Sequence, residues 1–162
     1  MSTHVSKAQV REWLDDTAIR NVTRHTDEET AFNYQVELSQ LPVHIIKETE
    51  FGPIRLVGQS GFNTDTAKTL LRDDQRRGEL LKYIGPMLAS TPGFYTFLNE
   101  EKESYELRNA ETIQIEYRIY PDGASQQALM DGIMSIATSM RYVQNVTAVV
   151  SAQVPVSDES RS

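Results

Sequence analysis

Histidines and carboxylates are the side chains of this sequence that could do acid–base or metal chemistry, and one group of them suggests a site. His25 is followed closely by Asp27, Glu28 and Glu29. Consecutive carboxylates in a loop point in different directions, however, and no second histidine stands at the three- or four-residue spacing of a helical metal site. Cysteine is absent, which excludes disulfides, thiolate ligands and thiolate nucleophiles. We therefore predict no metal ion and no cofactor.

Serine and carboxylate catalysis also lack their usual motifs. Ser60, within the segment 58–61, is the nearest approach to a nucleophile elbow or a phosphate loop, but the Gly-x-Ser-x-Gly pattern and the Walker lysine are missing. A plain turn between a strand and a helix is the favoured interpretation. Glu116 and Arg118 lie two residues apart on one face of a predicted strand, where we expect them to pair with neighbouring strands. The sequence thus predicts a protein that is not an enzyme.

The alternative is an enzyme or a small-ligand protein whose site is assembled from residues distant in sequence. Such a set could comprise Tyr34, His44, Arg55 and Tyr120.

The acidic composition limits the partners of the chain. The net charge is −7 and the isoelectric point is about 5.0. Arg72, Arg76 and Arg77 are the nearest approach to a basic patch, and Asp73 and Asp74 interrupt them. Because phosphate contacts need clustered Lys and Arg, we predict no nucleic-acid binding.

Length and hydropathy predict one domain without a membrane segment. No apolar run approaches the roughly 18–20 residues of a membrane span, and the first residues lack the apolar core of a signal peptide. We therefore expect a cytoplasmic protein. The chain of 162 residues fits a single domain, which we place at 1–152, with a disordered tail at 153–162.

The first half of the chain predicts a helix and then three strands. Ser6 is the predicted N-cap of the helix. The stretch 24–30 is expected to be a loop or a frayed strand edge. Apolar and polar residues alternate over 32–38, the pattern of a half-buried strand, and further strands follow over 42–46 and 54–57. The short connections favour an antiparallel meander.

The second half predicts a helical connection, two strands and a long helix. Pro86 should kink or break the helical connection. Strands are expected over 94–98 and 113–119, the second of which alternates most clearly. The turn at 121–123, Pro-Asp-Gly, then leads into the last helix.

The last helix carries more apolar side chains than one sheet-facing stripe requires. This predicts a helix buried against the sheet, or an interface that contacts a second copy or an apolar partner segment. The candidate interface residues are Met130, Met134, Met140 and Val143.

The order of elements predicts an α+β two-layer sandwich, with a mostly antiparallel five-stranded sheet and helices on one face, in the order α-βββ-α-ββ-α. This order resembles a family of small, uncharacterised archaeal proteins, similar in fold to bacterial type III secretion chaperones and YbjN-like proteins. Trp13–Leu14 in the opening helix and the stretch 115–123, Ile-Glu-Tyr-Arg-Ile-Tyr-Pro-Asp-Gly, carry the resemblance. It implies a fold and no established activity, cofactor or set of functional residues. By fold-level analogy with the secretion chaperones, we expect a non-enzymatic, chaperone-like, homodimeric module that binds a protein or peptide partner.

Overall fold

The computed structural model of the protein describes residues 5–25, 30–61, 65–99, 106–107 and 110–152. In chain order its elements are α1 (Lys7–Trp13), β1 (Ile19–His25), β2 (Phe32–Leu38), β3 (Leu41–Lys47), β4 (Ile54–Gly61), α2 (Asp65–Arg72), α3 (Asp74–Ser90), β5 (Phe94–Leu98), β6 (Thr112–Ile119), a 3₁₀ turn (Pro121–Gly123) and α4 (Gln126–Ala152). The predicted tail, 153–162, lies outside the described residues.

The sheet has six antiparallel strands in the order β1-β2-β3-β4-β6-β5. The first four strands form a meander. Helices α2 and α3 then connect β4 to β5, which is the edge strand of the sheet, and β6 pairs between β4 and β5. The α+β class, the antiparallel pairing and five of the strands are confirmed, but the predicted count of five strands is wrong.

The strand that the sequence does not reveal is β1. Only Ile19 is buried, and five of its other six residues are exposed, so the alternation that marks a half-buried strand is absent. Asn21 has a positive φ of 53°, and the pairing register with β2 shifts between Arg20 and Thr23. This bulge disturbs the period of two as well. An exposed, bulged edge strand therefore lacks the sequence pattern of a strand. The predicted loop or frayed strand edge at 24–30 overlaps β1 at Arg24 and His25, and residues 26–29 lie outside the described residues.

The glycine-containing segment 58–61 belongs to β4 and is not the predicted turn. A Cβ atom on Gly58 would lie 2.5 Å from Ile136 Cγ2 and 2.5 Å from Met140 Sδ, both on α4. On α4 itself, a Cβ on Gly132 would lie 2.4 Å from Leu56 Cδ1. Glycine is thus used at both positions so that α4 can approach the sheet closely.

The helical connection is divided at Asp73 and not at Pro86. The Asp73 carboxylate caps α3 by accepting hydrogen bonds from the backbone N–H groups of Gln75 and Arg76. Helix α3 then continues through Pro86 to Ser90. Of the predicted kink or break at Pro86, the break does not occur, because burial of Leu80, Ile84 and Leu88 along one stripe of α3 outweighs the loss of one backbone hydrogen bond. The predicted N-cap, Ser6, is confirmed and accepts from Gln9 N at 3.1 Å.

All described helices lie on one face of the sheet. Helix α4 contacts β2, β3, β4 and β6, and α1, α2 and α3 pack against α4. This covered face contributes the strand half of the core, including Val36, Val43, Ile45 and Leu56, each fully or almost fully buried. None of the described helices has the length and apolarity that a membrane span requires.

A lysine is buried on the covered face, at the edge of the core. Lys47 is 1% exposed, and its Nζ donates a hydrogen bond to the Val5 carbonyl at 2.8 Å. Burial lowers the pKa of the Lys47 ammonium, and the negative charge of Glu50 opposes that shift. Lys47 thereby connects the start of the helical layer to β3.

Candidate interaction surfaces

The residues predicted to form an interface on α4 do not form one surface. Met130, Met140 and Val143 are 8%, 0% and 1% exposed and belong to the core. Only Met134 is exposed, at 40%. The apolar surplus of α4 arises because this helix contacts the sheet and the three other helices together, so the interpretation as a buried helix is correct for most of its apolar side chains.

An exposed apolar groove, which includes Met134 in its lining, nevertheless lies between α3 and α4. The helix groove, as we name it, has a volume of about 500 Å³. Tyr142 is 37% exposed, and its hydroxyl donates to the Tyr83 carbonyl at 3.1 Å, which ties the two helices together. The groove is lined by Met87, Thr91, Asp131, Met134, Ser135, Thr138, Ser139 and Tyr142.

The second candidate surface is the sheet face opposite the helices, which we name the open face. Cross-strand register aligns side chains in rows on it: Gln35 pairs with His44, His44 with Val57, Val57 with Glu116, and Glu116 with Phe94. In this row Val57 is 5% exposed, whereas Phe94 on β5 is 47% exposed. Ile46, Arg55 and Arg118 lie in the adjacent row.

An ion-pair network crosses the open face and centres on a buried carboxylate. Glu116 is 2% exposed. Its Oε1 accepts from Arg55 Nη2 at 2.6 Å, and its Oε2 accepts from Arg118 Nε at 2.6 Å. Arg55 Nη1 also donates to Glu48 Oε1 at 2.6 Å, and the Arg118 guanidinium lies 5.4 Å from the centre of the Phe94 ring. The network thus contains two guanidinium and two carboxylate groups.

Electrostatics keep Glu116 ionised although it is buried. Burial raises the pKa of the Glu116 carboxyl, but the hydrogen bonds and positive charges of Arg55 and Arg118 outweigh burial, so its pKa lies below the ordinary value. Both carboxylate oxygens are engaged by guanidinium groups. This arrangement stabilises the sheet and leaves no free acid or base at Glu116.

Two histidines lie near this network. The rings of His25 and His44 are 6.3 Å apart. Burial lowers the pKa of His44, and the neighbouring His25 lowers it further. Asp27, Glu28 and Glu29, considered above as a metal cluster with His25, lie outside the described residues. Within the described part of the chain, no three His, Asp or Glu side chains are placed to share a metal ion.

The structure brings together most of the four residues that could form a site from distant parts of the chain, but not all of them. His44 and Arg55 are diagonal neighbours on the open face, and Tyr120, 55% exposed, directly follows β6, two residues after Arg118. Tyr34 lies on the covered face and is 8% exposed. The predicted cross-strand pairing of Glu116 is confirmed, and its partner is Arg55. The sequence did not identify Phe94 as part of a candidate site. Its only signal in the sequence is its position in an aromatic-rich strand.

The fold and these surfaces define a class: an α+β two-layer protein with a helix-covered, six-stranded antiparallel sheet and one open sheet face. The sequence matches the model of the family described as an uncharacterized conserved protein (DUF2299) over residues 6–146, and the chain belongs to that family. The search of curated proteins finds no match.

The fold has a solved counterpart. The crystal structure of an uncharacterized protein from Methanothermobacter thermautotrophicus is similar, with a TM-score of 0.71 and 16% sequence identity. The similarity covers 89% of this chain and 97% of that chain. At this identity the similarity shows a shared fold and no more.

Proposed function

We propose that the protein is a non-enzymatic, chaperone-like module of the cytoplasm that acts as a homodimer and holds an apolar segment of a partner protein in the helix groove. The observation that carries this proposal is the exposure of Met134 and Tyr142, at 40% and 37%, along a groove of about 500 Å³. Large apolar side chains that stay exposed beside a concave surface are typical of protein interaction sites. Methionine adapts its shape to different partner side chains.

Charge determines which partner segment fits the helix groove best. The chain carries a net charge of −7, and the carboxylate of Asp131 lies in the lining of the groove. A segment with apolar residues flanked by Lys or Arg would be attracted to this surface, and an acidic segment would be repelled. We therefore assign the groove to a basic, apolar segment.

Two further observations favour a binding module over an enzyme. Glu116, the most buried carboxylate in the described part of the chain, has both oxygens engaged by guanidinium groups, so it offers no proton and no free base. The resemblance of the predicted order of elements to type III secretion chaperones and YbjN-like proteins implies no established activity, and the additional strand β1 and the division of the helical connection depart from that order. Since fold does not fix function, the assignment rests on the groove.

The experiment places a photocrosslinking amino acid at position 134 and, as a control, at position 51. Phe51 is 54% exposed in the connection between β3 and β4 and does not line the groove. We expect position 134, and not position 51, to crosslink a discrete protein, whose crosslinked segment is then synthesised. Burial of one methionine side chain is worth about 1.5–3 kcal/mol. Met134→Glu loses this burial and must desolvate a carboxylate against the apolar part of the segment, which outweighs the attraction of the new charge to the flanking Lys or Arg, so it should raise the Kd for that segment by about tenfold or more. Phe51→Glu should leave the Kd unchanged.

Two results would contradict the proposal. One is an equal crosslinking pattern from positions 134 and 51. The other is a segment whose Kd is the same for the wild type and for Met134→Glu.

A further inference from the structure

The open face is a complete side of the sheet on which no described helix lies. Its centre contains apolar side chains from neighbouring strands: Ile46 on β3 is partly exposed, and Val57 on β4 is 5% exposed. Phe94, on the edge strand β5, is also apolar, and its side chain is 47% exposed. Antiparallel sheets tolerate a solvated face, but such faces normally carry polar side chains at alternate positions. Ile46 and Phe94 are thus apolar side chains, at least partly exposed, on a face that is otherwise mostly polar, and we take them as the part of the face that a partner covers.

The charge of the open face identifies the partner that it fits. Among the described residues, strand register and ion pairing place three cations and three anions on this face: Arg20, Arg55, Arg118, Glu37, Glu48 and Glu116. The face is therefore formally neutral, whereas the whole chain carries −7. Two copies would repel each other through their acidic surfaces and meet without repulsion through this face. A neutral face of mixed charge is also able to complement itself, as a two-fold interface requires.

The size of the open face is sufficient for such an interface. Six strands about 4.8 Å apart, each about seven residues long at about 3.4 Å per residue, cover about 600 Å². Two copies packed face to face would then bury about 1,200 Å², which is the lower end of the range for specific protein–protein interfaces.

We infer that the protein dimerises through the open face, so that the sheets of two copies pack against each other and the helical layers lie outside. This inference rests on the homodimer of the proposed function and adds its interface. The two sheets would lie about 10 Å apart, as in other sheet-on-sheet packings. The helix groove, on the opposite side of each copy, stays accessible to its partner segment.

The test is sedimentation velocity from low to high micromolar protein concentration. The wild type should be a dimer at the upper end. Ile46→Glu replaces an apolar side chain at the centre of the interface by a carboxylate in each copy, which upsets the charge balance of the face, and should raise the dimer Kd by about a hundredfold. Gln59→Glu changes an exposed side chain of the same face, which allows the test even if Ile46→Glu disturbs folding, and should also weaken the dimer. Met134→Glu adds the same charge in the helix groove and should leave the dimer unchanged.

The possible outcomes separate this inference from the proposed function. A wild-type dimer that both open-face variants leave intact overturns the inference. A dimer that Met134→Glu dissociates instead moves the interface to the helix groove and overturns it as well. A wild type that stays monomeric at every concentration removes both the interface and the homodimer, whereas a segment whose Kd Met134→Glu leaves unchanged, with the dimer intact, overturns the proposed role of the groove alone.

Discussion

Replacing Glu116 by glutamine tests how much the ion-pair network on the sheet stabilises the fold. Glutamine keeps the shape of the side chain and one carbonyl oxygen, but it removes the charge that faces two guanidinium groups. Arg55 and Arg118 each donate to Glu116 at 2.6 Å, and their side chains are 22% and 41% exposed. The more buried partner, Arg55, is therefore left with a poorly compensated charge.

The magnitude follows from the exposure of each partner. Removing one partner of a fully buried ion pair costs about 3–5 kcal/mol. Here Arg118 can turn towards water, and Arg55 keeps its second carboxylate, Glu48, at 2.6 Å. We expect Glu116→Gln to lower the free energy of unfolding by about 2–3 kcal/mol. For a domain of this size that corresponds to a fall in Tm of about 4–12 °C.

The pH dependence gives the same prediction an independent signature. The pKa of Glu116 is lower in the folded protein than its ordinary value, so its contribution is complete above the unfolded pKa, about 4.3, and is lost as the pH falls through the lower folded value. The difference in stability between the wild type and Glu116→Gln should be constant from neutral pH down to about 5 and should shrink below about 4.

Urea unfolding, followed by the fluorescence of Trp13, measures both effects, since Trp13 is the single tryptophan and packs against the core. All variants are compared at one protein concentration, because association shifts apparent stability. The matched control is Glu48→Gln: Glu48 is 59% exposed, and its loss should cost about 0.2–1 kcal/mol. A Glu116→Gln variant as stable as the control, or a stability difference that does not shrink in acid, would refute the reasoning.

Three further predictions test the packing. Lys47→Met relieves the desolvation of a buried ammonium but leaves the Val5 carbonyl without its donor, so at neutral pH its free energy of unfolding should lie within about 1 kcal/mol of the wild type. Because the folded pKa of Lys47 is lowered, the wild type should gain stability relative to the variant as the pH rises towards about 10.4 in urea titrations. Gly58→Ala should lower the free energy of unfolding by about 1–3 kcal/mol, because α4 occupies the space of the new methyl group. Its control, Gly78→Ala in α3, meets nothing within 4 Å and should raise the free energy of unfolding by about 0.5–1 kcal/mol in thermal unfolding. Equal effects of the two substitutions would contradict the close approach of α4. Met140→Ala, at a fully buried position, should lower the free energy of unfolding by about 2–5 kcal/mol. Met134→Ala should lower it by less than about 1 kcal/mol. Equal losses in calorimetry would contradict the difference in burial between the two methionines.

Several elements of this fold can be predicted from neighbouring residues alone. Alternation over 32–38 and 113–119 identifies β2 and β6, and Ser6 marks the start of α1. These signals work because burial of one face, or capping of a helix, is decided within a few residues. β1 gives no such signal, because an exposed edge strand has no buried face to report.

The candidate surfaces could be predicted only in part. The excess of methionines on the last helix points to α4, but which of them is exposed depends on the helices that pack around it: Met134 stays at the surface, while Met140 meets Gly58 of the sheet. Cross-strand pairing of Glu116 was predictable, but its partner Arg55 is 61 residues away in the chain.

The sequence alone settles the composition of this protein and its local structure. It settles the absence of cysteine, the net charge of −7 and the identity of the strongly alternating strands, because these depend on residue types and short spacings. Only the tertiary structure decides that β6 lies between β4 and β5, which places Glu116 beside Arg55 and Phe94. It also decides that α4 is enclosed by sheet and helices on most sides. The reason is that alternation shows that a strand has a buried side, but not which strand or helix covers it.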